Sequence, residues 1–97
     1  MKNIEDIKKI LNENKPLFRK SFKVKEIGIF GSYIKSEQTQ KSDLDILVEF
    51  ENPIDFFDYL EFEEYLTKLL EIKVDLVMKK ALKPNIGEKI LKEVIYV

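Results

Sequence analysis

The stretch from Val24 to Phe50 constrains this chain more than any other part of it. Residues 24–30 read as a strand, with Ile27, Ile29 and Phe30 apolar and little polar interruption. The run stops at Gly31-Ser32, and residues 36–42, Ser-Glu-Gln-Thr-Gln-Lys-Ser, hold no large apolar side chain and read as a loop. A second strand over residues 44–50 is entered through Asp43-Leu44-Asp45 and leaves through a turn at Glu51-Asn52-Pro53. Asp43 as a turn cap would be unremarkable. Asp45, set between Leu44 and Ile46, is an acid inside an apolar strand and asks for a partner of opposite charge.

The rest of the chain supplies helices and a third strand. Asn3, with Asp6 three residues on, has the form of an N-cap with an acidic first turn. Ile4, Ile7, Ile10 and Leu11 follow on one helical face, and the helix either ends near Asn14 or kinks at Pro16 and resumes through Leu17, Phe18 and Phe22. Residues 55–70 form a helix capped by Asp55, with Phe56, Tyr59, Leu60, Phe62, Leu66, Leu69 and Leu70 on the inward half. Phe57 and Tyr65 fall outside that arc and are candidates for a partner surface, whereas Asp58, Glu61, Glu63 and Glu64 read as a solvated face. Residues 73–78 are a third strand carrying Asp75 between Val74 and Leu76. Residues 85–93 are a last helix behind Pro84 with Ile86, Ile90 and Leu91 inward, and residues 94–97 add a short strand. Alternating strands and helices predict an α/β (α+β) fold, a small mixed sheet of three to four strands packed with helices, as one domain over residues 1–97.

Composition limits the chemistry. The 97 residues include no Cys, His or Trp, which excludes a thiolate nucleophile, an imidazole base, a zinc finger and a Ser-His-Asp triad. What remains is carboxylates, hydroxyls, lysines and backbone amides, with a hard cation such as magnesium as the natural cofactor. Seventeen basic against eighteen acidic residues leave a net charge of −1, so no direct nucleic-acid binding is expected. No apolar run is long enough to span a bilayer and the N-terminus, from Met1 and Lys2 onward, lacks an apolar signal core, so a cytoplasmic protein is the expectation.

Within those limits one constellation stands out: Gly31-Ser32, ten residues, then Asp43-x-Asp45. A glycine at a strand end lets a phosphate approach the backbone, and the serine that follows offers a hydroxyl and can open a helix whose free N–H groups face an anion. Asp43 and Asp45, two apart on a strand, project from the same face and repel one another unless a cation lies between them. If the strand of Asp75 is adjacent, three acids converge opposite a phosphate-cradling turn, a layout suited to two-metal phosphoryl or nucleotidyl transfer.

The segments Ile29-Phe30-Gly31-Ser32-Tyr33, Ser42-Asp43-Leu44-Asp45-Ile46-Leu47-Val48 and Lys73-Val74-Asp75-Leu76-Val77 resemble the signature of the polymerase-beta-like nucleotidyltransferase superfamily, in its minimal nucleotidyltransferase (MNT) branch. The run from Ile90 to Val97 is similar to that family's ending. Two positions depart from the common Gly-Ser-Tyr-Ala-Arg-Gly pattern. Lys35 keeps a positive charge without the planar fork of Arg, and Ser36 stands in place of a glycine that tolerates positive φ. The resemblance implies a nucleotidyltransferase-like fold, with Gly31, Ser32 and Lys35 binding a nucleoside triphosphate. It implies Asp43, Asp45 and Asp75 as catalytic residues that hold two Mg2+ ions, with ATP as the donor of AMP to a hydroxyl. It also implies an antitoxin that adenylylates or occludes a HEPN-type toxin partner. A small-molecule transferase of the aminoglycoside type and a silent, binding-only antitoxin are the alternatives. At this length the expectation is a catalytic core without a separate acceptor domain, with specificity residing in a partner and homo- or hetero-association open.

Overall fold

Asn3 begins the first helix in the way its sequence predicts: its side chain accepts the Asp6 N–H at 2.9 Å, and the Asp6 carboxylate accepts the Asn3 N–H at 3.4 Å. Here and below, the structure is a computed structural model that describes residues 3–39 and 41–97. Met1 and Lys2 of the N-terminal reading, and Gln40 of the polar loop, lie outside the described residues. Helix α1 spans Ile4–Phe22 without stopping at Asn14 or Pro16. The proline removes one backbone donor, but the rings beyond it offset that loss. Phe18 is fully buried edge-on to Phe62 at 5.3 Å, and Phe22 lies 4.7 Å from the same ring.

Strand β1 is Val24–Phe30, β2 Leu44–Phe50 and β3 Val74–Met78; helix α2 is Phe56–Leu70 and helix α3 Pro84–Glu93; strand β4 is Ile95–Tyr96. The sheet order is β3-β2-β1-β4, with β1 antiparallel to both β2 and β4 and β2 parallel to β3. The result is the expected α+β fold, a four-stranded mixed sheet with three helices. On β2 the alternation separates two faces: Leu44, Ile46, Val48 and Phe50 join the core with Ile7, Leu11, Phe18, Phe62, Leu66 and Leu70. Asp45 and Glu49 point the other way. No helix among the described residues is long and apolar enough to cross a membrane.

Strand β3 is an edge, and α2 closes it with side chains. Tyr59, Glu63 and Thr67 recur every four residues, so they line one face of the helix. The Thr67 hydroxyl accepts the Val74 N–H at 3.1 Å, Glu63 Oε2 accepts the Leu76 N–H at 2.8 Å, and the Tyr59 hydroxyl donates to the Leu76 carbonyl. Four helical residues advance about 6 Å and two strand residues about 6.6 Å, so the two periods match. The helix thereby supplies the hydrogen bonds of a missing strand and blunts the open edge. Burial, then the charges of Glu63 and Asp75, push the Tyr59 hydroxyl above its ordinary pKa, which keeps it a donor.

Several inward and outward assignments need correcting. Glu63, expected on a solvated face, is partly buried on β3. Tyr65, expected as a partner surface, packs against Phe18 and Phe22, because α1 runs far enough to meet it. Phe56 and Leu60, expected inward, are exposed like Phe57: the first turn of α2 stands clear of the core, with Phe56 stacked on Tyr59 and edge-on to Phe57. On α3 the buried position is Gly87, where a Cβ would lie 2.9 Å from that of Leu82. Approach through the glycine turns Ile86 and Leu91 outward.

The edge closure predicts that Glu63→Ala, which orphans the Leu76 N–H, costs about 1–2 kcal/mol in urea denaturation. Glu61→Ala, at an exposed position of the same helix, should change stability by less than about 0.5 kcal/mol. Equal effects of the two would contradict the role given to Glu63.

Candidate active site

Strand pairing brings the sequence-distant acids together. Phe30 stands opposite Asp45 in the β1–β2 ladder, and Asp45 stands opposite Asp75 in the parallel β2–β3 ladder. Parity then puts both carboxylates on the sheet face away from α1 and α2. Asp45 is half-buried and Asp75 exposed, with their carboxyl groups within hydrogen-bonding reach. Asp43 lies one residue before β2, exposed, at the end of a loop ordered by its own hydroxyls. The Thr39 N–H donates to Ser42 Oγ at 2.8 Å, the Lys41 N–H to Thr39 Oγ1 at 3.2 Å, and the Ser42 N–H to the Thr39 carbonyl at 3.1 Å.

Gly31 ends β1 with φ +82°, where other residues are strained, and its missing side chain has a second use. A Cβ there would sit 2.1 Å from Asp45 Oδ2, so the carboxylate occupies the space the glycine leaves. Ser32 does not open an α-helix. Gly31–Tyr33 is a single 3-10 turn, in which the Gly31 carbonyl accepts the N–H groups of Ile34 and Lys35 and the Ser32 carbonyl that of Glu37. Tyr33, buried in the core, pins this turn from beneath. Ser36 takes φ +57°, the left-handed conformation that the glycine at this position of the common pattern would adopt without strain.

Burial first, then the charge of Asp75, that of Asp43, the contact with Asp75 and the charge of Glu93, together raise the Asp45 carboxyl to about 6. Every one of these causes opposes ionisation, so the site is short of positive charge. Its donor set is oxygen only, which suits a hard divalent cation. Among the described residues no three acids are already gathered around one metal position. That is compatible with magnesium, which dehydrates reluctantly and shares its shell with water and phosphate instead of entering an all-protein cage. The residues present therefore fit the ion.

Sequence reasoning missed one member of the site. Glu93, the last residue of α3, accepts the Gly31 N–H on Oε1 at 3.2 Å and pairs through Oε2 with Lys35 Nζ at 3.4 Å. Glu93 is 62 residues from Gly31, so only the pairing of β4 with β1 brings them together, and that pairing left no signal in residue spacing. Lys35 thus lies beside the Gly31 turn, engaged by a carboxylate.

A family model for the nucleotidyltransferase domain matches residues 4–97. A Methanocaldococcus jannaschii protein named as a candidate protein adenylyltransferase is 52% identical over 98 residues that span the whole of both chains. The protein adenylyltransferase MntA of Thermococcus cleftensis is 47% identical over all of this chain and 98% of that one. Among solved structures, a candidate minimal nucleotidyltransferase aligns with a TM-score of 0.82 at 29% identity, covering 97% of this chain and 95% of that one. A structure of tri-AMPylated Shewanella oneidensis HEPN toxin in complex with MNT antitoxin aligns with a TM-score of 0.60 at 25% identity, covering 95% and 66%.

The raised Asp45 carboxyl fixes a pH dependence. The folded chain holds this proton more tightly than the unfolded chain, so Asp45 favours the folded state below pH about 4 and loses that contribution as pH rises through about 6. In the presence of a chelator, Asp45→Asn should therefore melt higher than the parent at pH 8. Allowing for solvent screening of a half-open site, the difference is about 1 kcal/mol, or roughly 4 °C or more. It should shrink toward pH 4; a variant that melts lower at pH 8 would contradict the assignment.

Proposed function

This chain belongs to the nucleotidyltransferase domain family, and we propose on that footing that it moves AMP from ATP to a hydroxyl of a partner protein, a tyrosine of a HEPN-type toxin, and so acts as an antitoxin. The observation that carries the reading is the Asp45 carboxylate lodged against the side-chain-free turn at Gly31 with Asp75 beside it in register. Support for the protein acceptor comes from the relatives: one is named a protein adenylyltransferase, and one structural neighbour is an MNT antitoxin with an AMPylated HEPN toxin.

The residues divide the work as follows. Gly31 and Ser32 hold the terminal phosphates with backbone N–H groups and a hydroxyl, and Lys35 adds a mobile positive charge. Asp43, Asp45 and Asp75 are the oxygen donors for magnesium, which when bound neutralises the triphosphate and eases deprotonation of the acceptor hydroxyl. Asp75, exposed at the outer side of the pair, takes the acceptor's proton. The acceptor oxygen bonds to the α-phosphorus as the bond from that phosphorus to the β-phosphate oxygen breaks, and pyrophosphate leaves. Asp45 positions the centre, since its place against Gly31 admits little movement. With no His in the chain, proton transfer rests on carboxylates.

The test is transfer of label from α-labelled ATP, with magnesium, to a purified HEPN-type partner. Label should appear on the partner, and Asp45→Asn and Gly31→Ala should each slow transfer by about a thousandfold while circular dichroism shows a folded chain. Undiminished transfer by Asp45→Asn would contradict the mechanism. Label on small molecules alone would point to a small-molecule transferase, and no label at all to an antitoxin that works by binding.

A further inference from the structure

The groups best placed to receive phosphate already hold an anion. The Gly31 N–H and the Lys35 ammonium both point at Glu93, whose side chain is only 20% exposed while that of Lys35 is 43% exposed. Among the described residues, Glu93 has no other polar partner. It closes the C-terminal turn of α3, where the helix dipole disfavours a negative charge. It also shares Gly31 with the Asp45 carboxylate, so two negative groups flank the same residue. The strand that follows, β4, pairs with β1 through Ile95 and Tyr96, both substantially exposed, and the Val97 N–H adds one bond to the Ile27 carbonyl at 3.0 Å. A carboxylate held against two sources of repulsion by one N–H and one ammonium is a stand-in for the ligand those two donors suit better.

We propose that Glu93 is an internal competitor for the nucleotide: its carboxylate occupies the anion position of the Gly31 turn and sets triphosphate affinity by having to be displaced. This rests on the reading of the turn as a phosphate site. An incoming polyphosphate takes over the Gly31 N–H and Lys35 and, bringing charge of the same sign, drives the Glu93 side chain out. The chain without nucleotide then keeps its donors satisfied, and nucleotide binding is weaker than the site alone would give. Glu93 acts through Gly31 and Lys35 and is a positioning residue, with no part in bond making.

The experiment measures binding of a non-hydrolysable ATP analogue, with magnesium, by calorimetry to the parent chain, Glu93→Gln and Glu93→Ala. Thermal melts confirm folding. Gln keeps the size and can still accept the Gly31 N–H, but it lacks the charge that holds Lys35. Both variants should bind the analogue more tightly than the parent, Glu93→Gln by about tenfold, and the gain should disappear when Lys35→Ala is added. A purely structural role predicts unchanged or weaker binding, and a role in holding the cation predicts weaker binding that excess magnesium restores; either result overturns the proposal. If the parent binds the analogue and Glu93→Gln binds it no better, only the competitor role fails. If no variant binds it, the phosphate reading of the turn fails as well.

Discussion

Asp45 is the point on which the site depends, because three constraints of the fold converge on it. The β1–β2 ladder sets it against Phe30 and the turn that follows, the β2–β3 ladder sets it beside Asp75, and the missing Cβ of Gly31 gives its carboxylate room. The same convergence leaves it short of compensating charge, with its carboxyl raised to about 6. A fold selected for stability alone would place an apolar side chain there. Cost to the folded state and the cation-binding role proposed for Asp45 therefore have a common origin in the register of the sheet.

Features distant from the carboxylates serve that register. β3 carries Asp75 but is an edge strand, and its outward backbone groups are held by Thr67, Glu63 and Tyr59 from α2. Helix α2 is in turn fixed against α1 by the cluster of Phe18, Phe22, Phe62 and Tyr65, which exists only because α1 continues past Pro16. On the other side β4 adds little pairing, yet it brings Glu93 to the Gly31 turn.

How much of this was legible beforehand follows from the kind of signal involved. The strands around Gly31-Ser32 and Asp43-Leu44-Asp45, the Asn3 and Asp55 caps and the third acid were readable, because each depends on neighbours in the chain or on a fixed spacing. Side-chain orientation on the helices was less so. Hydropathy marked Phe56 and Leu60 as inward, but the first turn of α2 extends past the core, and Ile86 turned outward because α3 packs through Gly87. The bonds of Glu63 and Glu93 were not legible at all. Glu63 reaches Leu76 through the packing of α2 on the β3 edge, and Glu93 reaches Gly31 through the pairing of β4 with β1. No local pattern specifies either contact, and a charged residue in a polar setting looks the same whether it is solvated or bonded to a backbone amide.

The central claim, that the turn at Gly31 and the acids around Asp45 transfer AMP to a protein hydroxyl, is tested most directly by intact-mass spectrometry of a HEPN-type partner after incubation with this chain, ATP and magnesium. The account predicts a mass increase of one or more whole AMP units on the partner, mapping by fragmentation to tyrosine and absent when a chelator is included. A partner that is bound tightly and neutralised while its mass stays unchanged would contradict it.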